Sequence, residues 1–196
     1  MPAISVSLDG NIVATICTEG FDLLRVGVSG TRIDEGPPHL EVHAGSYPET
    51  GEGSYLIWAD SSSLEPGQVL TVSMLDNAQT NRPGKSIEEL YPDGPDVVAH
   101  PKSRDEVFAE LRNRPLIHER FVFDFDSSKG VHFAGETDPE EHGFSFAVVW
   151  NSFHPERARV SLHSYTLDSL ENNSPMNDHV EDVMKCGDSV RFELVA

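Results

Sequence analysis

The feature that most constrains the fold is the alternation of apolar and polar residues, with a period of two, in both outer parts of the chain. Ile4, Val6 and Leu8 alternate with polar residues near one end, and residues 190–194 repeat the pattern near the other. A strand with one buried face gives this pattern, because successive side chains point to opposite faces of a sheet. Asp9-Gly10 follows the first run and predicts a type I′ hairpin turn.

Turn-forming residues separate the apolar runs. Gly and Pro recur between them throughout the first 75 residues, at a spacing that is typical of antiparallel strands in a sandwich or barrel. We therefore predict a mainly β fold: an antiparallel β-sandwich, or two similar β units with a short helical insert. A β-barrel is the alternative. The length of 196 residues suits one compact domain.

Residues 77–120 are predicted to be a loop and helical insert, because the composition shifts to Asn, Pro, Gly and Asp from Asp76 to Pro101. Capping boxes, in which a serine is followed three residues later by a glutamate, predict two helices there, at Ser86–Glu89 and Ser103–Glu106. A third short helix is predicted over residues 177–184, because Asn177 can cap its start and Gly187 suits its end.

The two outer units, residues 1–76 and 121–196, share a hydrophobic pattern. At an offset of 120 positions, apolar strand residues of the first unit meet apolar strand residues of the second, as in Leu24, Val26 and Val28 against Phe144, Phe146 and Val148. One interpretation, which we do not favour on the sequence alone, is that the second unit is a degenerate repeat of the first. The alternative is that two unrelated β segments share a period of two.

The chain is strongly acidic, with 33 Asp+Glu against 14 Lys+Arg and a net charge of −19. Nucleic acid is not an expected partner, because phosphates require a basic surface. No apolar run reaches the roughly 18 residues that indicate a transmembrane helix, so no membrane partner is expected. Cys17 and Cys186 are single and far apart, and no signal peptide is visible, which predicts a cytoplasmic protein with free thiols.

Known catalytic signatures do not match. Pro83-Gly84-Lys85-Ser86 resembles the end of a phosphate-binding loop, but Gln79 stands where the first glycine is required. No G-x-S-x-G nucleophile motif occurs. His39 and His43 fall on a predicted strand, where four residues span about 13 Å, too far for two ligands of one ion. We therefore predict no cofactor and favour a protein that is not an enzyme.

Two residue sets keep other chemistry open. Asp124 and Asp126 share one strand face and are weak candidates for binding a hard cation, although no metal site is predicted. Aromatic residues that can stack on sugars are Tyr47, Tyr55, Trp58, Tyr91, Trp150 and Tyr165. Core packing is the expected role of both tryptophans, because large aromatic side chains are mostly buried.

Charge is the strongest functional signal. We predict a non-enzymatic acidic binding protein that neutralises a basic protein partner through loops carrying Asp34, Glu35, Glu49, Glu52, Glu136, Asp138, Glu140 and Glu141. In composition the chain resembles immunity and inhibitor proteins of bacterial toxin systems, which implies a toxin as the partner. The alternative is a carbohydrate-binding or hydrolytic β-sandwich that uses aromatic residues and carboxylates. The sequence predicts no oligomeric state.

Overall fold

A computed structural model describes residues 1–94 and 102–195. The strands are β1 (Pro2–Leu8), β2 (Asn11–Cys17), β3 (Leu23–Thr31), β4 (His39–Ser46), β5 (Ser54–Ser63), β6 (Val69–Asp76), β7 (Val122–Ser127), β8 (His132–Glu136), β9 (Gly143–Asn151), β10 (Ala158–Tyr165), β11 (Asn177–Met184) and β12 (Ser189–Val195). The helices are α1 (Ile87–Leu90), α2 (Arg104–Arg112) and α3 (Leu167–Asn172). Among these described helices, none has the length and apolar character needed to cross a membrane.

The strands form two six-stranded sheets. Sheet A has the order β2-β1-β6-β12-β7-β8, and sheet B has the order β11-β10-β9-β3-β4-β5. Every pair of neighbours is antiparallel. The predicted mainly β, antiparallel sandwich is therefore confirmed. The alternative barrel is excluded, because each sheet ends in two edge strands, β2 and β8 in sheet A and β5 and β11 in sheet B.

The core lies between the two sheets and is built from the apolar residues of the alternating pattern. Phe192 of sheet A stacks on Phe146 of sheet B with ring centroids 4.7 Å apart, and neither is exposed. Trp58 and Trp150 are 7% and 2% exposed, which confirms their expected place in the core. Burial of each large apolar side chain contributes about 1.5–3 kcal/mol to folding.

The strand order is the same for both halves of the chain. Exchanging β1–β6 with β7–β12 leaves the order of each sheet unchanged, and the halves meet at the β6–β12 and β3–β9 pairs. Gly27 lies opposite Ala147, and Thr71 lies opposite Arg191. Each of these pairs is separated by the offset of the predicted repeat, so topology and register agree with it. The duplication itself stays a prediction.

The helix predictions have a mixed outcome. Helices α1 and α2 begin after Ser86 and Ser103, and both hydrogen bonds of each capping box are present, which confirms the two predictions. The helix predicted over residues 177–184 is wrong, because this segment is β11 and pairs with β10. Helix α3 was not predicted. It is capped by Thr166, with Ser169 in place of the usual glutamate.

Residues 77–86, which we call the bridging segment, connect the edge strands of the first half. Asn81 donates its N–H to the carbonyl of Thr15 in β2 (3.0 Å) and accepts the N–H of Thr15 on Oδ1 (2.9 Å). Lys85 exchanges both of its backbone hydrogen bonds with Ile57 in β5, each at 2.9 Å. The bridging segment therefore satisfies backbone groups at the edges of both sheets.

Candidate functional site

Most of the predicted partner-binding acids lie at one end of the sandwich. Thr31, at the end of β3, lies opposite Gly143, at the start of β9, so loops 32–38 and 137–142 are neighbours. We call this the acidic end, formed by the two loops and the adjoining end of β8. It carries Asp34, Glu35, Glu136, Asp138, Glu140 and Glu141.

Glu49 and Glu52 do not belong to this surface. They lie in the loop between β4 and β5, and β4 runs from the acidic end to the opposite end of the sandwich. Its 8 residues span roughly 24 Å at about 3.4 Å per residue. The structure therefore does not bring all eight predicted acids to one surface, since chain direction separates the two sets and composition does not reveal it.

Arg32 holds the acidic loop 137–142 in place. Its side chain is only 5% exposed and lies beneath that loop. The guanidinium donates from Nη1 to the carbonyls of Pro139 (2.9 Å) and Glu141 (2.7 Å), and from Nε to that of His118 (3.0 Å). A buried charge requires such partners. Because the loop carbonyls turn inward to Arg32, the position of the acidic loop is fixed.

Glu141 stabilises the loop from the inside and does not lie on the exposed surface that was predicted to bind a partner. It is 5% exposed. Its carboxylate accepts from the hydroxyl of Ser164 (2.5 Å), the N–H of Asp138 (2.7 Å) and the amide of Asn177 (3.1 Å). These three donors compensate the lost hydration of the carboxylate. A run of acids in the sequence does not show which member turns inward.

Ser164 and His179 stand beside Glu141 and have the residue types of a hydrolase site. Ser164 Oγ lies 2.7 Å from His179 Nε2. The hydroxyl has one proton, and the carboxylate of Glu141 is the stronger acceptor, so the imidazole acts as the donor to Ser164. A nucleophilic serine needs the opposite arrangement, with histidine accepting its proton. Ser164 is also fully buried. The geometry therefore gives the hydrolytic alternative no support at this position.

The exposed acids of the acidic end differ in their neighbours. Asp34 pairs with Arg114 at 3.0 Å, and Glu136 pairs with Arg120 at 2.9 Å. Within residues 1–94 and 102–195, Asp138 and Glu140 make no side-chain ion pair. Their negative charge is therefore not compensated by a side chain of the described residues and stays free to meet a cation.

A groove of about 570 Å³ opens beside these free acids. Among the residues that the structure describes, its lining is formed by Asp138, Pro139, Glu140, Glu141, Thr166 and Asn177, and none of these is basic. A second cavity of about 270 Å³ shares Glu141, Thr166 and Asn177 with it and extends toward Ser164 and Met176. The groove therefore combines negative charge with polar oxygen atoms, which suits a cationic side chain such as lysine or arginine.

His142 lies at the base of the acidic loop and does not reduce the negative charge of the loop at neutral pH. Burial, followed by the nearby Arg32 guanidinium, lowers the pKa of His142 below its ordinary value. Its Nδ1 accepts the N–H of Leu167 at 3.4 Å. The imidazole is therefore neutral near pH 7 and adds no positive charge beside Asp138 and Glu140.

Asp124 and Asp126, the weak metal candidates, lie on the outer face of sheet A. Together with His132 they place one ligand atom each within 4.8 Å of one another, and Asp124 Oδ1 is buried without a hydrogen bond. The guanidinium of Arg191 lies 3.6 Å from Asp126 and 3.9 Å from Asp124. Arg191 thus supplies positive charge where a cation would bind, and its guanidinium also pairs with Glu193.

The candidate aromatic residues are dispersed, with one exception. Trp58 and Trp150 are core residues and are not accessible to a sugar. Tyr47 and Tyr55 are 60% and 36% exposed and share the outer face of sheet B, where a Cβ on Gly45 would lie 2.6 Å from the Tyr47 hydroxyl. Gly45 pairs with Tyr55, so the two tyrosines are neighbours. They form a small aromatic surface away from the acidic end.

Comparison with protein families, curated proteins and solved structures gives no match to this chain. The fold class is that of an antiparallel β-sandwich, and the interpretation of the site depends on its own geometry. Sequence reasoning missed Arg32, His179 and Asn177. A signal for Arg32 existed, because it is one of only two cations in the first 81 residues, and it lies in a segment otherwise rich in apolar and acidic residues.

Proposed function

We propose that this chain is a non-enzymatic binding protein whose acidic end binds the basic surface of a protein partner. The observation that carries the proposal is the loop over residues 137–142. Arg32 holds its backbone, while Asp138 and Glu140 remain without an ion pair beside a groove that has no basic lining. The residues are held in advance, so binding loses little conformational freedom.

The electrostatics suit fast and salt-dependent association. A net charge of −19 attracts a basic partner over long range, and the free acids at one end orient it on approach. A lysine or arginine of the partner that enters the groove meets Asp138 and Glu140. Salt screens such interactions, since the Debye length falls from about 30 Å at 0.01 M to about 3 Å at 1 M ionic strength.

We extend the proposal to an inhibitor or immunity protein that neutralises a basic toxin. A small acidic protein neutralises a basic enzyme when it covers the surface with which that enzyme holds an anionic substrate. Both cysteines are free in the structure, which supports a reducing compartment and thus a cytoplasmic encounter.

The experiment that tests the proposal compares the two ends of the sandwich. Tagged wild-type protein and two charge-neutralised variants are used to capture proteins from native lysate at low and at high salt. The variant Asp138→Asn/Glu140→Gln removes free charge from the acidic end. The matched control, Glu49→Gln/Glu52→Gln, removes the same charge from the opposite end.

The expected result is one basic protein that wild type and the control capture at low salt, and that the acidic-end variant loses. We expect the high-salt wash to release it. Recovery of no basic protein, or equal loss with both variants, contradicts the proposal.

Sugar binding is a second candidate function, favoured by the neighbouring exposed Tyr47 and Tyr55. Arg25 and Glu41 pair at 3.3 Å on the same face and offer polar groups for hydroxyls. Sugar faces stack on aromatic rings, so a glycan array should detect such binding. Binding by wild type that Tyr47→Ala abolishes supports this candidate, whereas an array without signal contradicts it.

A further inference from the structure

The edge strands of the two halves differ in whether another segment of the chain hydrogen-bonds to them. In the first half, the bridging segment hydrogen-bonds to β2 and to β5. In the second half, the corresponding edges are β8 and β11, which we call the open flank. Within residues 1–94 and 102–195, β8 receives no backbone hydrogen bond on the side away from β7.

Strand register identifies the residue that corresponds to Thr15. In the first half, Val72 of β6 lies opposite Val6 of β1, and Val6 lies opposite Ala14 of β2. Where the halves meet, Val72 lies opposite Val190 and Leu70 lies opposite Phe192, so Phe192 is the counterpart of Val72. In the second half, the same path runs from Phe192 through Phe125 to Phe133. The residue after Ala14 is Thr15, and the residue after Phe133 is Ala134. The N–H of Ala134 therefore points away from β7, as that of Thr15 points to Asn81.

Burial agrees with this difference. Thr15 is 9% exposed beneath the bridging segment, whereas Ala134 is exposed. Trp58 of β5 is 7% exposed and donates its indole N–H to the carbonyl of Arg82. The matching position in β11 is His179, which is only partly buried and stacks on Phe133 at 4.9 Å. Within residues 1–94 and 102–195, no backbone segment pairs with the outer edge of β8 as the bridging segment pairs with β2, and β11 is contacted there by the side chain of Lys129.

The charges indicate which kind of segment fits. The bridging segment contains Arg82 and Lys85 and no acidic residue. The open flank, β8 and β11, and the adjoining strand β7 contain no lysine or arginine. They carry Asp124, Asp126, Glu136, Asp178, Glu181 and Asp182. The first-half counterparts, β1, β2 and β5, have Asp60 as their one acid. By the residues of its strands the open flank is the more acidic of the two, and cations from other elements, namely Arg120, Lys129, Arg159 and Arg191, already pair with acids of these strands. Asp178 forms no side-chain ion pair within the described residues.

We propose that the edge of β8 accepts an extended basic segment of the protein partner, which adds to sheet A as a further strand beside β8. This deepens the proposed function and rests on it, because β8 ends at Glu136 within the acidic end. Backbone hydrogen bonds to the edge give affinity in such strand addition, and side chains at alternate positions give specificity. Basic side chains of the added strand reach Glu136 and the acids of β7 and β11.

The test uses a synthetic peptide with the sequence of residues 77–86 as the probe, titrated to millimolar concentration into isotope-labelled full-length protein. We expect amide chemical shifts of residues 132–136 to change. A peptide in which Arg82 and Lys85 are replaced by glutamate should give less than one tenth of the affinity. Shifts that occur only outside β8 and its neighbours, or no shifts at all, overturn the proposal.

Two variants of one residue make the test specific. Ala134→Pro removes the outward N–H and is tolerated on an edge strand, because that group makes no ladder hydrogen bond. Ala134→Val keeps the N–H and serves as the matched control. We expect the proline variant to lose peptide binding at least tenfold and the valine variant to keep it. Thermal unfolding of both variants checks that the fold is intact. Equal binding by the two folded variants contradicts strand addition.

The same variants separate this proposal from the proposed function. If Ala134→Pro still captures a basic partner that Asp138→Asn/Glu140→Gln loses, the acidic end binds the partner without strand addition. If both fail to capture the partner and Ala134→Val succeeds, both proposals are supported. If the peptide binds at β8 and no basic partner is captured by any form, strand addition stands and the proposed function fails.

Discussion

The two halves of the chain have the same arrangement of strands, which we call the frame, and build its core from different residues. In β7–β12 the core is aromatic, with Phe123, Phe125, Phe144, Phe146 and Phe192 fully or almost fully buried. In β1–β6 the corresponding positions are aliphatic, as with Ile4, Val6, Leu24, Val26 and Val72. The frame therefore depends on the alternation of apolar and polar residues, and it accepts either kind of apolar side chain.

The outer surfaces of the halves differ more than their cores. The first half closes its flank with the bridging segment, whose Gly84 packs so closely that a Cβ would lie 2.9 Å from Leu56. The second half holds its flank by side chains, among them Lys129, which lies 2.5 Å from Asp182. A surface closed by its own chain offers little to a partner. The comparison shows that the β8 edge of the second half lacks the backbone cover that β2 has in the first half, within the part of the chain that the structure describes.

The largest expected effect separates the two cores. Phe192→Ala should lower the free energy of unfolding by about 4 kcal/mol, because it removes a stacked aromatic ring and leaves a cavity. Its counterpart Val72→Ala should cost about 2 kcal/mol, since fewer buried methyl groups are lost. Urea unfolding measures both variants. Equal losses would show that the aromatic core adds nothing to the second half.

A smaller effect is expected from the two arginines that bind backbone carbonyls. Arg32→Met should lower the free energy of unfolding by about 3 kcal/mol, because it leaves several buried carbonyls of the acidic loop without a donor. Arg82→Met, in the exposed bridging segment, should cost less than about 1 kcal/mol. The same unfolding experiment applies. A cost for Arg32→Met as small as that for Arg82→Met would mean that the acidic loop is held by other contacts.

The edge strands provide the next comparison. Asn81→Ala should cost about 1–2 kcal/mol, because the N–H of Thr15 loses its acceptor in a buried setting. Ala134→Val should change stability by less than about 0.5 kcal/mol, since its surroundings are exposed. Thermal unfolding compares the two variants. If Ala134→Val is as destabilising as Asn81→Ala, the β8 edge is already covered.

The smallest effect is a dependence on pH that both halves share. Burial is the main cause that lowers the pKa of His43 and of its counterpart His163. The unfolded chain therefore binds more protons as pH falls through the ordinary imidazole value of about 6.5, and stability decreases from pH 7 toward pH 5. We expect His43→Gln and His163→Gln each to flatten this decrease. A stability that rises as pH falls over this range would reverse the sign of the argument.

Much of the fold can be predicted because it is determined by residues that are close together in the sequence. Asp9 and Gly10 both have positive φ, as the predicted type I′ turn requires, and the serine caps gave α1 and α2. The helix prediction over residues 177–184 is wrong because Val180, Val183 and Met184 are spaced as on a helix although the segment is a strand. Its pairing with β10 is a contact between distant parts of the chain and overrides that spacing.

The site was less predictable, since its geometry arises from contacts across the chain. The burial of Glu141 depends on Ser164 and Asn177, which lie more than twenty residues away in sequence. The separation of Glu49 from Asp138 depends on strand direction. A count of charges identifies a surface that attracts cations, and the fold decides which of its members are accessible.

The most direct test of the central claim is hydrogen exchange of the full-length protein, alone and with the basic protein captured by wild type. The account predicts slower exchange in residues 132–142 on binding, at the β8 edge and the acidic loop, and unchanged exchange in β2 and in the loop that holds Glu49 and Glu52. Protection confined to that opposite loop, or to β2 and the bridging segment, would contradict it.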